Sequence, residues 1–243
     1  MGRKTGMYQT YIFDMYGTLI DIQTDEEQSE VWERLALHFG YQGLSISGGE
    51  LQERFLRERD LQLGEAARTC EYPDFIMEEV FRSVARQLGG EPDLAWLYET
   101  VRWLRTLSMV HISLYDGVAE ILQTLRDRGK KVFLLSNGQK TFIEAELTML
   151  GIIHLFDGIA ISSEAGVSKP DPLFYRYLVD KYGADLSSAI MIGNDPRTDI
   201  EGALKVGIDS CYIHTASSPS DMVVKSTYSI WDGGLRQIPG WNS

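Results

Sequence analysis

From Asp116 onward the chain repeats one pattern: a short apolar run of strand length, then an amphipathic stretch of helical period, then another apolar run. Runs 132–135, 158–161, 190–192 and 210–213 have strand length, and segments 118–125, 142–150, 173–179 and 200–206 have helical period. Strands that alternate with helices run parallel, because each helix carries the chain back across the sheet before the next strand begins. The pattern predicts an α/β architecture, a Rossmann-like doubly wound parallel sheet with helices on both faces.

One further apolar run, 11–13, stands far upstream of this alternation. Between it and residue 111 the period is helical throughout, with breaks at 40–49, 64, 72–73 and 89–92. Four helices are expected, over 27–39, 49–63, 73–88 and 92–107. The chain thus divides into an α/β core made of 7–20 and 112–243, and an all-α block over 21–111 inserted after the first strand. A length of 243 residues suffices for one large domain or two modest ones.

The strand ends carry the chemistry. Tyr11-Ile12-Phe13-Asp14-Met15-Tyr16-Gly17-Thr18-Leu19 puts a carboxylate where an apolar strand gives way to a Gly-Thr turn. Parallel strands open their C-terminal ends onto the ligand crevice, and the glycine lets main-chain groups turn toward it. Asp14 also suits a plain turn, since aspartate bonds its own backbone readily. Three later segments repeat the arrangement. Lys131-Val132-Phe133-Leu134-Leu135-Ser136-Asn137-Gly138 ends in a hydroxyl, an amide and a glycine, and Ser136 is suited to an oxyanion. Gly166-Val167-Ser168-Lys169-Pro170-Asp171-Pro172 places Lys169 ahead of a proline-started helix. Ile190-Met191-Ile192-Gly193-Asn194-Asp195-Pro196-Arg197-Thr198-Asp199 sets two carboxylates four residues apart at a helix start, oxygen ligands of the kind a hard cation takes. Singly, each segment also reads as a turn, a solvated lysine or first-turn acids favoured by the helix dipole. Their joint occurrence at successive strand exits is what points to a site.

Taken together, Asp14, Ser136, Lys169 and the Asp195/Asp199 pair resemble the four motifs of the haloacid dehalogenase-like hydrolase superfamily, from about Met7 to the end of the chain. The all-α block resembles the helical cap of the subgroup with a first-loop insertion, and the resemblance implies a cleft between cap and core. It implies that Asp14 is the nucleophile, that Tyr16, Ser136, Asn137 and Lys169 belong to the catalytic set, and that Mg2+ is held by Asp14, the main-chain carbonyl of Tyr16 and Asp195, with Asp199 either a direct ligand or a holder of the ion's waters. Tyr16 departs from the phosphatase pattern, in which a second aspartate protonates the leaving alcohol and then activates water. A phenol with pKa near ~10 donates a proton but is a poor base at neutrality. Asp-x-Tyr-Gly-Thr-Leu is similar instead to the 2-haloacid dehalogenases, where the aspartate attacks carbon without a metal.

The acidic pair in the fourth motif favours a magnesium-dependent phosphohydrolase acting on a small phosphorylated metabolite through an aspartyl phosphate on Asp14. A metal-independent 2-haloacid dehalogenase is the alternative. A weakly catalytic binding or regulatory protein is the third reading, since a missing base would leave a long-lived phosphorylated Asp14. With Tyr16 in place, leaving groups that need little protonation, such as acyl phosphates, are the expected substrates.

Composition narrows the partners. The net charge is −12, and residues 21–111 carry twice as many acidic as basic residues, which argues against nucleic acid and leaves attraction of a small anionic substrate to local groups. Of the arginines Arg34, Arg54, Arg57, Arg59, Arg102 and Arg105, any could reach a substrate anion, but Glu50/Arg54 and Glu53/Arg57 have the spacing of helical ion pairs. No apolar run approaches the ~18 residues of a membrane span. Cys70 and Cys211 follow no metal or redox spacing. With no secretory leader visible, these features predict a cytoplasmic protein; residues 1–6 read as a tag or alternative start.

Overall fold

The computed structural model describes residues 8–220, 223–232 and 234–238, so the expected beginning of the core at residue 7 and its last residues, 239–243, lie outside the described residues, as do residues 1–6. The chain enters through β1 (Thr10–Phe13) and leaves through β2 (Ile20–Thr24). It then builds α1 (Ser29–Tyr41), α2 (Gly48–Ala66), α3 (Met77–Gln87) and α4 (Leu94–Ser108), and returns through β3 (Met109–Leu114). Alternation follows: α5 (Val118–Asp127), β4 (Lys131–Ser136), α6 (Lys140–Met149), β5 (Gly158–Ile161), α7 (Ser162–Ala165), α8 (Pro172–Tyr182) and β6 (Ala189–Gly193). After a turn over Pro196–Ile200 come α9 (Glu201–Val206), β7 (Asp209–Ile213) and β8 (Tyr228–Ile230).

The six-stranded sheet has the order β5-β4-β1-β6-β7-β8 with every neighbouring pair parallel, as the alternation predicts. Its two faces are read directly from the period of two along each strand. On one face Tyr11, Phe13, Leu134, Ile190 and Ile192 pack with residues of α5 and α6 such as Ile121, Leu125 and Leu147. On the other, Ile12, Phe133, Leu135 and Met191 pack with Phe174 and Leu178 of α8 and Ala203 of α9. The sheet is therefore the middle of three layers, and the C-terminal ends of β1, β4 and β6 lie side by side.

Helices α1 to α4 enclose a separate core. Leu35, Phe39, Phe55, Val80, Phe81, Leu97 and Leu104 are buried together, and Phe142 of α6 reaches into the cluster from the sheet side. Two features differ from expectation. The third helix begins at Met77 rather than at 73, because residues 72–76 are not helical and have backbone groups taken by residues of the sheet domain. The Tyr72 carbonyl accepts from Ser168 N at 2.8 Å, the Phe75 carbonyl accepts from Gln139 Nε2 at 3.0 Å, and Met77 N donates to Gln139 Oε1 at 3.0 Å. The second is the antiparallel pair β2/β3, in which Ile22 faces Ile112 and Asp21 faces Ser113. These strands are short and half polar, so they carry no clear apolar period; the expected boundaries at 20/21 and 111/112 fall within them.

A buried ionic cluster stitches the helical block to the sheet. Arg105 of α4 pairs with Glu146 of α6 at 2.6 Å and with Glu26 at 3.6 Å, and its side chain is 12% exposed against 4% for Glu146. The guanidinium lies 5.3 Å from the Tyr16 ring centroid and 4.7 Å from that of Phe142, and the Tyr16 hydroxyl donates to Glu146 Oε2 at 2.6 Å. Among the described residues no helix is long and apolar enough to cross a membrane.

Replacing Arg105 by Met keeps most of the volume but strands the Glu146 carboxylate. A loss of about 3–5 kcal/mol is expected, read as a lower urea midpoint, with Arg105→Met/Glu146→Leu recovering much of it.

Candidate active site

β1 delivers Asp14 to the crevice while Asp14 N still donates to the Ile192 carbonyl at 2.9 Å, so the nucleophile candidate is fixed to the sheet edge of β6. The chain then turns sharply: Gly17 has φ +79°, and a Cβ there would lie 2.3 Å from Asn194 Nδ2. Only glycine fits, for both reasons. Asp14 has both carboxylate oxygens occupied. Oδ1 accepts from Lys169 Nζ at 2.6 Å, and Oδ2 accepts from Thr18 Oγ1 at 2.9 Å.

Lys169 sits between two carboxylates. Its Nζ donates to Asp199 Oδ1 at 2.8 Å as well, and its side chain is only 1% exposed. Burial works against the ammonium's charge, but Asp14 and Asp199 outweigh it and hold its pKa above the ordinary lysine value. Asp199 is also buried, and burial dominates there: despite the pull of Lys169 its carboxyl is pushed up to about 6. Its Oδ2 accepts from Asp195 N at 3.0 Å, and a Cβ at Gly193 would fall 2.2 Å from that oxygen.

Asn137 holds the backbone of Lys169 rather than a reacting group. Its Nδ2 donates to the Lys169 carbonyl at 3.1 Å and its Oδ1 accepts from Lys169 N at 2.8 Å, which fixes the lysine against the end of β4. Ser136, at that strand end, is fully buried, and its Oγ has no hydrogen-bond partner among the described residues. A buried hydroxyl without a partner is costly unless a ligand supplies one.

The fourth motif divides in two. Asp199 joins Lys169, whereas Asp195 caps the turn over Pro196–Ile200 and pairs with Arg197: Oδ1 accepts from Arg197 N at 2.8 Å and Nε at 3.2 Å, and Oδ2 from Nη2 at 3.0 Å. Just before Asp195, Asn194 is buried with its Oδ1 3.2 Å from Thr18 Oγ1, whose one hydrogen is shared with Asp14 Oδ2. Asp14, Asp195 and Asp199 nonetheless line one cavity of about 340 Å³, together with Lys169, Asn194 and Arg197.

Tyr16 lines the same cavity, but its hydroxyl is directed to Glu146. Burial and then the Glu146 carboxylate push its pKa well above the ordinary phenol value, so no phenolate forms to act as a base. Of the helical-block arginines, Arg34, Arg54, Arg57 and Arg59 make surface pairs with Glu30, Glu50, Glu53 and Asp60, and Arg105 is the buried one. Thr18, Asn194 and Glu146 escaped the sequence reading. Thr18 had a signal, four residues after Asp14 in the turn; Glu146 had none.

The haloacid dehalogenase-like hydrolase family model matches residues 8–207. A phosphoserine phosphatase of Thermus thermophilus is 28% identical over 66% of this chain, which spans 63% of that protein's length. An (S)-2-haloacid dehalogenase of Burkholderia cepacia is 26% identical over 86% of this chain and 84% of its own. The crystal structure of a HAD phosphatase from Thermococcus onnurineus superposes with a TM-score of 0.58 at 20% identity, covering 91% of this chain and 93% of that one, a likeness of fold. With the parallel sheet, the strand-end carboxylates and a family match over most of its length, the chain belongs to the haloacid dehalogenase-like hydrolases.

Proposed function

We propose that this hydrolase is a phosphohydrolase of small phosphorylated metabolites, with Asp14 as nucleophile and residues 21–111 as its cap. The observation that carries the reading is the set of amide, carboxylate, ammonium and guanidinium groups that line the cavity over Asp14, from Asn137, Asn194, Asp195, Lys169 and Arg197, beside Tyr16, Ile22 and Pro219. Such a wall suits a tetrahedral group of anionic oxygens; a carbon–halogen bond calls for an apolar enclosure.

Asp14 attack on phosphorus forms the Asp14–phosphorus bond and breaks the bond to the leaving oxygen; water then cleaves the aspartyl phosphate. Lys169, held by Asn137 and anchored to Asp199, offsets the charge of the nucleophile and of the incoming phosphoryl oxygens without reorganising. The Ser136 hydroxyl, without a partner among the described residues, has a proton to donate, but Ser136 is not among the residues that line the cavity.

Mg2+ is what the resemblance implies, and three carboxylates, oxygen donors of the kind it takes, line the one cavity, each already bonded to Lys169 or Arg197. Among the described residues no group of three His, Cys, Asp or Glu side chains forms a metal cage. Asp14, the Tyr16 carbonyl and Asp195 would hold the ion, with Asp199 and water beside them; it supplies positive charge that eases the approach of one anion to another.

Tyr16 supports a second reading. With its hydroxyl on Glu146, Tyr16 is not turned to a leaving alcohol as an acid, which suits halide departure or leaving groups such as acyl phosphates.

Incubated with acetyl phosphate, p-nitrophenyl phosphate and L-2-chloropropionate, with Mg2+ or chelator, the protein is expected to release phosphate only with Mg2+, and Asp14→Asn to release none. Chelator-insensitive chloride release would overturn the reading. Tyr16→Phe is expected to keep phosphate release within about threefold while lowering stability by about 1.5–3 kcal/mol, the share of a hydrogen bond to a charged group. Asp199 binds its proton more tightly in the folded chain, about 6, than at its ordinary 3.8, so its cost to stability sets in as pH rises from about 4 through 6. Removing the ammonium raises that pKa further. Thermal melts of Lys169→Met should therefore show the largest loss at pH 8 and partial recovery toward pH 5.

A further inference from the structure

Two residues after Asp14, Tyr16 lines the cavity, yet its hydroxyl is committed elsewhere. It donates to Glu146 Oε2 at 2.6 Å, while the other oxygen of that carboxylate accepts from Arg105 Nε at 2.6 Å. The ring is boxed in as well: the Arg105 guanidinium lies 5.3 Å from its centroid, and a Cβ at Gly138 would stand 3.4 Å from its Cε2. The charged side chains lining the cavity engage one another, Asp14 and Asp199 with Lys169 and Asp195 with Arg197. Tyr16 thus carries the one phenolic proton among the lining residues, and Glu146 holds it. Glu146 is itself 4% exposed. A buried carboxylate–guanidinium pair adds little stability over apolar side chains of the same volume, so what this pair contributes is direction.

We propose, resting on the phosphohydrolase reading above, that Glu146 is a positioning residue that determines specificity. By holding the Tyr16 hydroxyl it keeps that proton from the leaving oxygen, and so confines turnover to substrates whose leaving group departs as a stable anion, the acyl phosphates. A carboxylate, with a pKa of about 4, leaves phosphorus unaided, whereas an alkoxide needs a proton as its bond breaks. A positioned acid is worth roughly 10²–10⁴ in rate, and its absence penalises alkyl phosphates alone. Removing both charges of the pair together leaves the hydroxyl without its acceptor. Buried hydroxyls take the acceptor within reach, and the cavity that Tyr16 lines offers the leaving oxygen. As Asp14 bonds to phosphorus and the bond to the leaving oxygen breaks, the phenolic proton then passes to that oxygen, and the phenolate regains a proton from water.

Rates of phosphate release from acetyl phosphate and glycerol 3-phosphate test this in the full chain, in Glu146→Gln, in Arg105→Met/Glu146→Leu and in that double variant with Tyr16→Phe added, beside thermal melts of each. The parent is expected to favour acetyl phosphate by about 10²-fold or more. In the double variant the rate with glycerol 3-phosphate should rise about tenfold while that with acetyl phosphate holds, and Tyr16→Phe should abolish the rise. Glu146→Gln, with one acceptor oxygen for two donors, should fall between. Comparable parent rates with the two substrates would overturn the proposal, as would a rise that survives Tyr16→Phe, the mark of looser packing alone. So would an unchanged ratio in a double variant that melts as a folded protein; if that variant does not fold, an unchanged ratio in Glu146→Gln decides against it equally. No phosphate from either substrate in the parent sinks the phosphohydrolase reading and this proposal together, whereas an unmoved ratio at measurable rates sinks this proposal alone.

Discussion

One buried ammonium organises this molecule's chemistry. Lys169 Nζ lies within 2.8 Å of both Asp14 and Asp199, and all three groups are withdrawn from water. Two carboxylates cannot remain ionised together in such a place without a cation between them. The rest of the crevice serves that arrangement. The parallel register brings the ends of β1 and β6 together, the Asn137 amide fixes the lysine's main chain, and Gly193 leaves room for the Asp199 carboxylate. Charge balance and backbone geometry are here a single constraint.

The helical block is joined to that centre through Tyr16. Its side chain stands two residues from Asp14, yet its hydroxyl belongs to a cluster shared with Glu146 of the sheet domain and Arg105 of α4. A shift of α4 would therefore be felt in the loop that follows Asp14. Residues 72–76 make a second junction, where Gln139, two positions after Asn137, bonds the backbone on either side of Ile76. Both junctions lie next to motif residues, so the position of the helical block and the shape of the crevice are mechanically linked.

Much of this was legible in the sequence. The alternation of short apolar runs with helical periods predicts the sheet, because a strand buried on both faces leaves a contiguous apolar signature. Asp14 and Lys169 stand out as charges where such patterns break. What was not legible depends on rotation and on distance along the chain. Asn194 and Asp195 are adjacent, and the turn after Gly193 decides which of them faces Thr18 and which caps Pro196–Ile200. Glu146 meets Tyr16 across 130 positions, with nothing local to announce it. Residues 72–76 read as the start of a helix until the partners for their carbonyls, supplied by the sheet domain, are known.

The contact between Gly17 and Asn194 carries a consequence for how this sequence is able to drift. With Asn194 Nδ2 standing 2.3 Å from where a Cβ on residue 17 would be, the two sites share one volume. A descendant that enlarges either must shrink the other in step, and the left-handed backbone at Gly17 closes even that route for most side chains. Variation at 194 is then confined to replacements of asparagine's size or smaller, so the charge beside Thr18 can change readily, by exchange of an amide for a carboxylate, while the shape of that wall cannot.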